Sequence, residues 1–118
     1  MEHVPPERVL HLLGLARAAL REGGRLIIRT PNTASLLAGY GRYIDFTHVT
    51  GFTAESLGAA LLRAGFPRAF VLQMPRHPRW KGRLRYRVHG WLVRLIYRLE
   101  DQRLSECITH NLHMGADR

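Results

Sequence analysis

Acidic residues and cysteine are what this sequence has least of, and both shortages narrow the field. Nine Asp and Glu stand against eighteen Lys and Arg, a formal charge of +9, which favours anionic partners such as nucleic acid, acidic lipid head groups or phosphorylated compounds. The single cysteine, Cys107, excludes a disulfide framework, and a reducing cytoplasm is the expected compartment. No apolar run is long enough to cross a bilayer; the richest, residues 88–99, is broken by Arg94 and Arg98. Met1-Glu2-His3 followed by Pro5-Pro6 lacks the basic-then-apolar pattern of a secretory leader. What is present is ordinary globular material, 46% hydrophobic and 23% charged over 118 residues, enough for one small domain.

The chain is organised about Gly23-Gly24-Arg25-Leu26-Ile27-Ile28-Arg29-Thr30-Pro31-Asn32. Before it, residues 7–21 carry Val9, Leu12, Leu13, Ala16, Ala19 and Leu20 at helical spacing. Pro5 and Pro6 suit a helix start, and Gly23-Gly24 a left-handed stop. Residues 25–30 read as a strand. Leu26-Ile27-Ile28 is apolar without alternation, which predicts cover on both faces. Residues 35–40 suggest a short helix loosened by Gly39 and Gly41, and residues 43–48 a polar loop. Thr53 caps a helix over 53–64, with Phe52 positioned to pack on Leu57 as a hydrophobic staple. Residues 69–74 form a second strand and 76–83 a basic linker. A helix from Leu84 carries Leu84, Val88, Trp91, Leu92, Leu95 and Leu99 on one face. A last strand is expected within 106–116. Helix–strand alternation of this kind predicts a doubly wound α/β sheet.

These motifs, in this order, resemble a family. Glu2-His3-Val4, Glu22-Gly23-Gly24-Arg25-Leu26-Ile27-Ile28, Thr30-Pro31-Asn32, Asp45-Phe46-Thr47-His48-Val49, Phe52-Thr53-Ala54-Glu55-Ser56-Leu57 and Ala64-Gly65-Phe66 are similar to the second half of class I S-adenosylmethionine-dependent methyltransferases. The small-molecule branch is nearest in look, including ubiquinone-biosynthesis O-methyltransferases and sugar-associated ones. The resemblance implies a partial Rossmann-like sheet: residues 25–30 as the fifth strand, 69–74 as the sixth, and 106–116 as a seventh inserted antiparallel between them. Residues 75–104 would be a basic helical insertion in a single incomplete domain. The family's glycine-rich cofactor turn has no counterpart here, since Gly39-Tyr40-Gly41 falls well after the fifth strand. The chain is therefore expected to be a fragment or one half of a split enzyme, inactive alone.

The candidate site residues follow. By resemblance, Glu2 and His3 would sit beside the cofactor, S-adenosylmethionine; otherwise they are a frayed end. No metal is assigned, because the first carboxylate of the Glu-x-x-Glu-His run seen in some relatives would precede Met1. His48 is the candidate catalytic base, since imidazole accepts a proton near neutral pH. Asp45 would orient His48 or hold substrate; otherwise Asp45 and Thr47 make local turn bonds and His48 caps the loop. Asn32 would face the substrate or be a plain turn residue. His110 and His113, three apart, would point to opposite faces of a strand and cannot share a metal, and Cys107 reads as a packed residue.

The expected function is methyl transfer to a small-molecule acceptor, at oxygen. The alternative is a non-catalytic basic module. Arg76, Arg79, Lys81, Arg83, Arg85, Arg87, Arg94 and Arg98, interleaved with Trp80, Tyr86, Trp91 and Tyr97, would then bind nucleic acid or an acidic membrane. Without a fourth strand beside it, the edge from Arg25 to Thr30 would be open to a complementary half or a second copy.

Overall fold

The local signals that start and stop the elements are carried by few residues. Thr53 caps a helix in a reciprocal arrangement with Ser56: the Ser56 amide donates to Thr53 Oγ1 at 3.2 Å, and the Thr53 amide donates to Ser56 Oγ at 2.9 Å. Phe52 and Leu57, one before the cap and one a turn inside, are both buried. Gly65, at φ +93°, ends that helix. Such an angle costs a side chain with a Cβ but not glycine.

The computed structural model describes residues 1–72 and 79–118. Its elements are helix α1 (Pro6–Ala19), strand β1 (Arg25–Pro31), helices α2 (Ala38–Tyr43) and α3 (Ala54–Arg63), strand β2 (Arg68–Val71), helix α4 (Trp80–Leu99) and strand β3 (Asn111–Asp117). The sheet order is β1-β3-β2, and β3 is antiparallel to both neighbours. The antiparallel last strand inserted between the other two is the topology the resemblance implied.

Several boundaries differ from expectation. α1 stops at Ala19, and Gly23, at φ +71°, serves the turn into β1 rather than the helix end. α2 runs through Gly39 and Gly41 as far as Tyr43. The second strand is Arg68–Val71, and the Leu72 amide donates to the His113 carbonyl at 2.8 Å; the expected positions Gln73 and Met74 lie outside the described residues, as do residues 76–78 of the basic linker. α4 begins at Trp80, taking in residues 80–83 of that linker, and β3 begins only at Asn111.

The largest correction concerns β1. Its residues alternate between buried and exposed, and Ile27 is 65% exposed. Among the described residues only one face of the sheet is covered. Leu112, Met114 and Ala116 of β3 and Ile28 of β1 point into a core closed by Val9 and Leu13 of α1, Leu57 and Leu61 of α3, and Phe66. The other face is held by a small polar clasp. Arg25 Nε donates to Asp117 Oδ1 at 2.6 Å, and the Arg25 and Arg68 guanidinium groups lie 5.0 and 5.1 Å from the Phe70 ring centre. Phe70 lies over Gly115, where a Cβ would come within 2.7 Å of the ring. Glycine at the centre of β3 therefore lets the three strands lock in register.

α4 also departs from expectation. Its apolar stripe does not pack on the sheet: Leu84, Val88, Trp91, Leu92, Leu95 and Leu99 are all exposed, while Gly90 and Val93 on the other side are buried.

Removing the Leu61 side chain, which is fully buried between α3 and the sheet, is expected to cost about 2–5 kcal/mol. Thr53→Ala should cost about 1 kcal/mol through the lost cap. Urea denaturation followed by circular dichroism measures both; equal, negligible losses would contradict this core.

Candidate functional site

The carboxyl end of β1 gathers two further chain segments. The N-terminal residues run past it, and the loop after α2 folds back on them: the amides of Val49 and Thr50 donate to the Glu2 carbonyl at 2.8 and 3.0 Å. Thr50 Oγ1 donates to the Val4 carbonyl. Thr30 Oγ1 donates to a Glu2 carboxylate oxygen at 3.3 Å. These bonds bring residues 2–3 and 45–50, some 45 positions apart in sequence, onto one end of the sheet.

His48 is the centre of the group and is 9% exposed. Its Nδ1 lies 3.0 Å from the Gly41 carbonyl oxygen. A carbonyl only accepts, so Nδ1 carries the proton in the neutral ring and Nε2 is the basic nitrogen. Nε2 is 3.9 Å from Asp45 Oδ2, and the His3 ring meets the His48 ring edge-on with centres 4.8 Å apart. Thr47 links the flanking groups. Its hydroxyl donates to Asp45 Oδ1 at 2.7 Å, its amide donates to the same oxygen at 2.9 Å, and its Oγ1 is 2.9 Å from His3 Nδ1.

The carboxylates respond to these contacts. The Thr47 hydroxyl and then the Thr47 amide hold the Asp45 carboxyl below its ordinary value, with smaller help from His48 and His3. For Glu2, burial pushes the carboxyl up, but its own backbone N–H, the Met1 amino group and Thr30 outweigh it and leave it lowered. Both are anionic at neutral pH.

Four of the five candidate residues come together here: Glu2, His3, Asp45 and His48. Asn32 lines the same cleft as Glu2 and His48, but its side chain is engaged elsewhere. It is 1% exposed, and its Nδ2 donates to the carbonyls of Cys107 at 2.7 Å and Thr109 at 2.9 Å. Its Oδ1 accepts from the Ala34 amide at 3.0 Å. Both side-chain N–H groups are spent on the backbone entering β3, so Asn32 fastens that segment to the end of β1. Thr47 entered the sequence reading only as a partner in the loop's turn bonds; its amide and hydroxyl make them to Asp45, and its contact with His3 has no sequence signal.

Glu2, His3 and His48 each offer a ligand atom, and these atoms all lie within 4.8 Å of one another. One carboxylate and two imidazoles are a donor set that divalent ions accept. The sequence assigned no metal because a second carboxylate was missing; in the folded chain His48 is the third donor of this group. The cleft beside the cluster, lined by Pro31, Gly41, His48 and His110, encloses about 10 Å³, room for one water molecule at most.

A SAM-dependent methyltransferase from Archaeoglobus fulgidus superposes on 99% of this chain with a TM-score of 0.65 and 21% identity, while the chain spans 55% of that protein's length. The chain carries part of a methyltransferase fold. No family model matches the sequence, and no curated protein matches it. Within that fold, β1, β2 and β3 occupy the places the resemblance gave to the fifth, sixth and seventh strands. Glu2, His3, Asp45 and His48 lie at the carboxyl end of the fifth, where open α/β sheets bind ligands.

Two outcomes follow. Asn32→Ala strands two buried carbonyls and should cost about 2–4 kcal/mol in denaturant midpoints; a substrate-facing asparagine would leave stability unchanged. Asp45 has its carboxyl lowered in the folded state, so its contribution is complete above the ordinary aspartate value and is lost as pH falls through the folded one. Exchange protection of the Thr47 amide should therefore drop in acid, and Asp45→Asn should flatten that dependence.

Proposed function

We propose that this chain is the acceptor side of a SAM-dependent methyltransferase acting on a small molecule, with transfer to oxygen. The observation that carries the reading is the convergence of Glu2, His3, Asp45 and His48 at the end of β1, in a fold shared with a SAM-dependent methyltransferase.

The chemistry asks little of the protein beyond placement. The methyl group of the sulfonium passes in line to the acceptor oxygen, the carbon–sulfur bond breaks, and the acceptor's proton must leave. His48 Nε2 takes that proton. Gly41 holds the ring by Nδ1, and the Asp45 carboxylate 3.9 Å away stabilises the imidazolium formed. A second reading rests on the three donor atoms within 4.8 Å of one another: a divalent ion held by Glu2, His3 and His48 would acidify an acceptor hydroxyl, and His48 would then be a ligand rather than the base.

The sequence contains no glycine-rich turn following a strand, and the cleft admits at most a water, so cofactor binding is assigned to a complementary half. β1 is the place for that half to join. It pairs with β3 along one edge only among the described residues, and Ile27 lies bare beside the open edge. A second copy at the same edge is the competing occupant.

The purified 118-residue chain alone should show no saturable S-adenosylmethionine binding by calorimetry. Mixed with a separately expressed amino-terminal half of a methyltransferase of this fold, it should gain binding and tritiated-methyl transfer. His48→Ala in that pair should lower transfer by about 10²–10⁴-fold. Loss of activity on chelation, restored by a divalent ion, would select the second reading. Folded halves that never associate would sink the proposal.

A further inference from the structure

The face of α4 that points away from the rest of the protein is the least explained surface of the molecule. At about 3.6 residues per turn, Leu84, Val88, Trp91, Leu92, Leu95 and Leu99 fall within one arc of roughly 120°. All six are exposed, from 40% for Leu95 to 77% for Leu99. α4 docks through its opposite side. Gly90 and Val93 are buried there, Gly90 sits against Ile108, and the Tyr97 hydroxyl donates to the Ala34 carbonyl at 2.7 Å. α4 is thus held through Gly90, Val93 and Tyr97 and not through its Leu84–Leu99 arc.

Charge lies mainly beside the arc: Arg83, Arg87, Arg94 and Arg98 are on one flank and Arg85 on the other, while Lys81, in the first turn, falls on the arc itself. The helix contains no Asp or Glu. Six aliphatic and aromatic side chains in the centre, cations on both sides, and a length of about 30 Å match the chemistry of a bilayer interface: acyl chains for the arc and phosphate head groups for the flanks. The alternatives fit less well. A second copy of α4 would set arginine against arginine with no acid to answer them. Nucleic acid would satisfy the cations but leave Leu84, Val88, Leu92, Leu95 and Leu99 in water, because neither phosphates nor base faces cover aliphatic chains as acyl tails do.

We propose that α4 lies in the plane of an anionic membrane surface, with its Leu84–Leu99 arc among the acyl chains and its arginines at the head groups. The proposal is independent of the methyl-transfer reading and would stand if that reading failed. It also agrees with the absence, among the described residues, of any helix long and apolar enough to cross a membrane.

The chain carries its own probe, since its two tryptophans, Trp80 and Trp91, are both on α4 and both exposed. Vesicles of equal parts phosphatidylglycerol and phosphatidylcholine should sediment the protein and shift its tryptophan emission to the blue. Phosphatidylcholine alone should do neither. Leu92→Glu with Leu95→Glu should lower binding roughly tenfold or more, and Arg83→Ala with Arg85→Ala and Arg87→Ala should do the same while weakening the salt dependence. All five positions are exposed, and a retained far-ultraviolet spectrum confirms that the variants fold. Three outcomes would overturn the proposal: no blue shift with anionic vesicles; a shift that RNA produces and vesicles do not; or a concentration-dependent dimer whose formation alone buries the tryptophans.

Discussion

β3 is the piece on which the rest depends. Among the described residues β1 and β2 do not pair with each other; each bonds only to β3, one along either edge. The inner face of β3 supplies Leu112, Met114 and Ala116 to the core against α1 and α3, and its outer face supplies Gly115 under Phe70. The segment leading into β3 is fastened to the end of β1 by both side-chain N–H groups of Asn32 and by the Asn32 amide, which donates to the His110 carbonyl at 2.9 Å. Take β3 away and two strands, a buried asparagine and half the core lose their partners at once. Antiparallel insertion makes this possible, because a strand arriving from α4 can enter between two existing strands without a crossover helix.

The same constraint positions the site. With β1 fixed by β3, its carboxyl end becomes a rigid platform on which Glu2 and the 45–50 loop converge. His48 is held from behind by a carbonyl of α2, and its neighbours Asp45 and Thr47 satisfy one another within the loop. The group therefore presents one basic nitrogen and two carboxylates already anionic, with little left to reorganise. Rigidity of this kind is what both a proton acceptor and a chelating group need.

The chain also displays two surfaces that a self-sufficient small domain does not usually leave bare: the sheet face around Ile27 and the outward arc of α4. They differ in character. The sheet face is apolar at Ile27 and otherwise covered by Arg25, Arg68 and Phe70, and it lies beside an unpaired strand edge, which calls for more sheet. The α4 arc is broad, aliphatic and fringed by cations, which calls for a surface of opposite charge with an oily interior. Two such faces on so small a body suggest different partners rather than one.

Much of this was written in short-range pattern. Capping at Thr53, the staple of Phe52 on Leu57, the turns at Gly23 and Gly65, and the helical stripe of α3 depend on neighbours within a few residues, so local sequence determined them. The order of motifs also carried the strand insertion through the fold they resemble. Three matters were decided only by tertiary structure. Leu26-Ile27-Ile28 looks covered on both sides, but burial depends on what packs against a strand, not on the strand's own composition. The α4 stripe looks like core for the same reason; a helix shows which residues share a face, never which face is buried. Asn32 and the grouping of Glu2, His3 and His48 turn on contacts between segments as many as 77 positions apart, and no periodicity within a window reports a hydrogen bond across that distance.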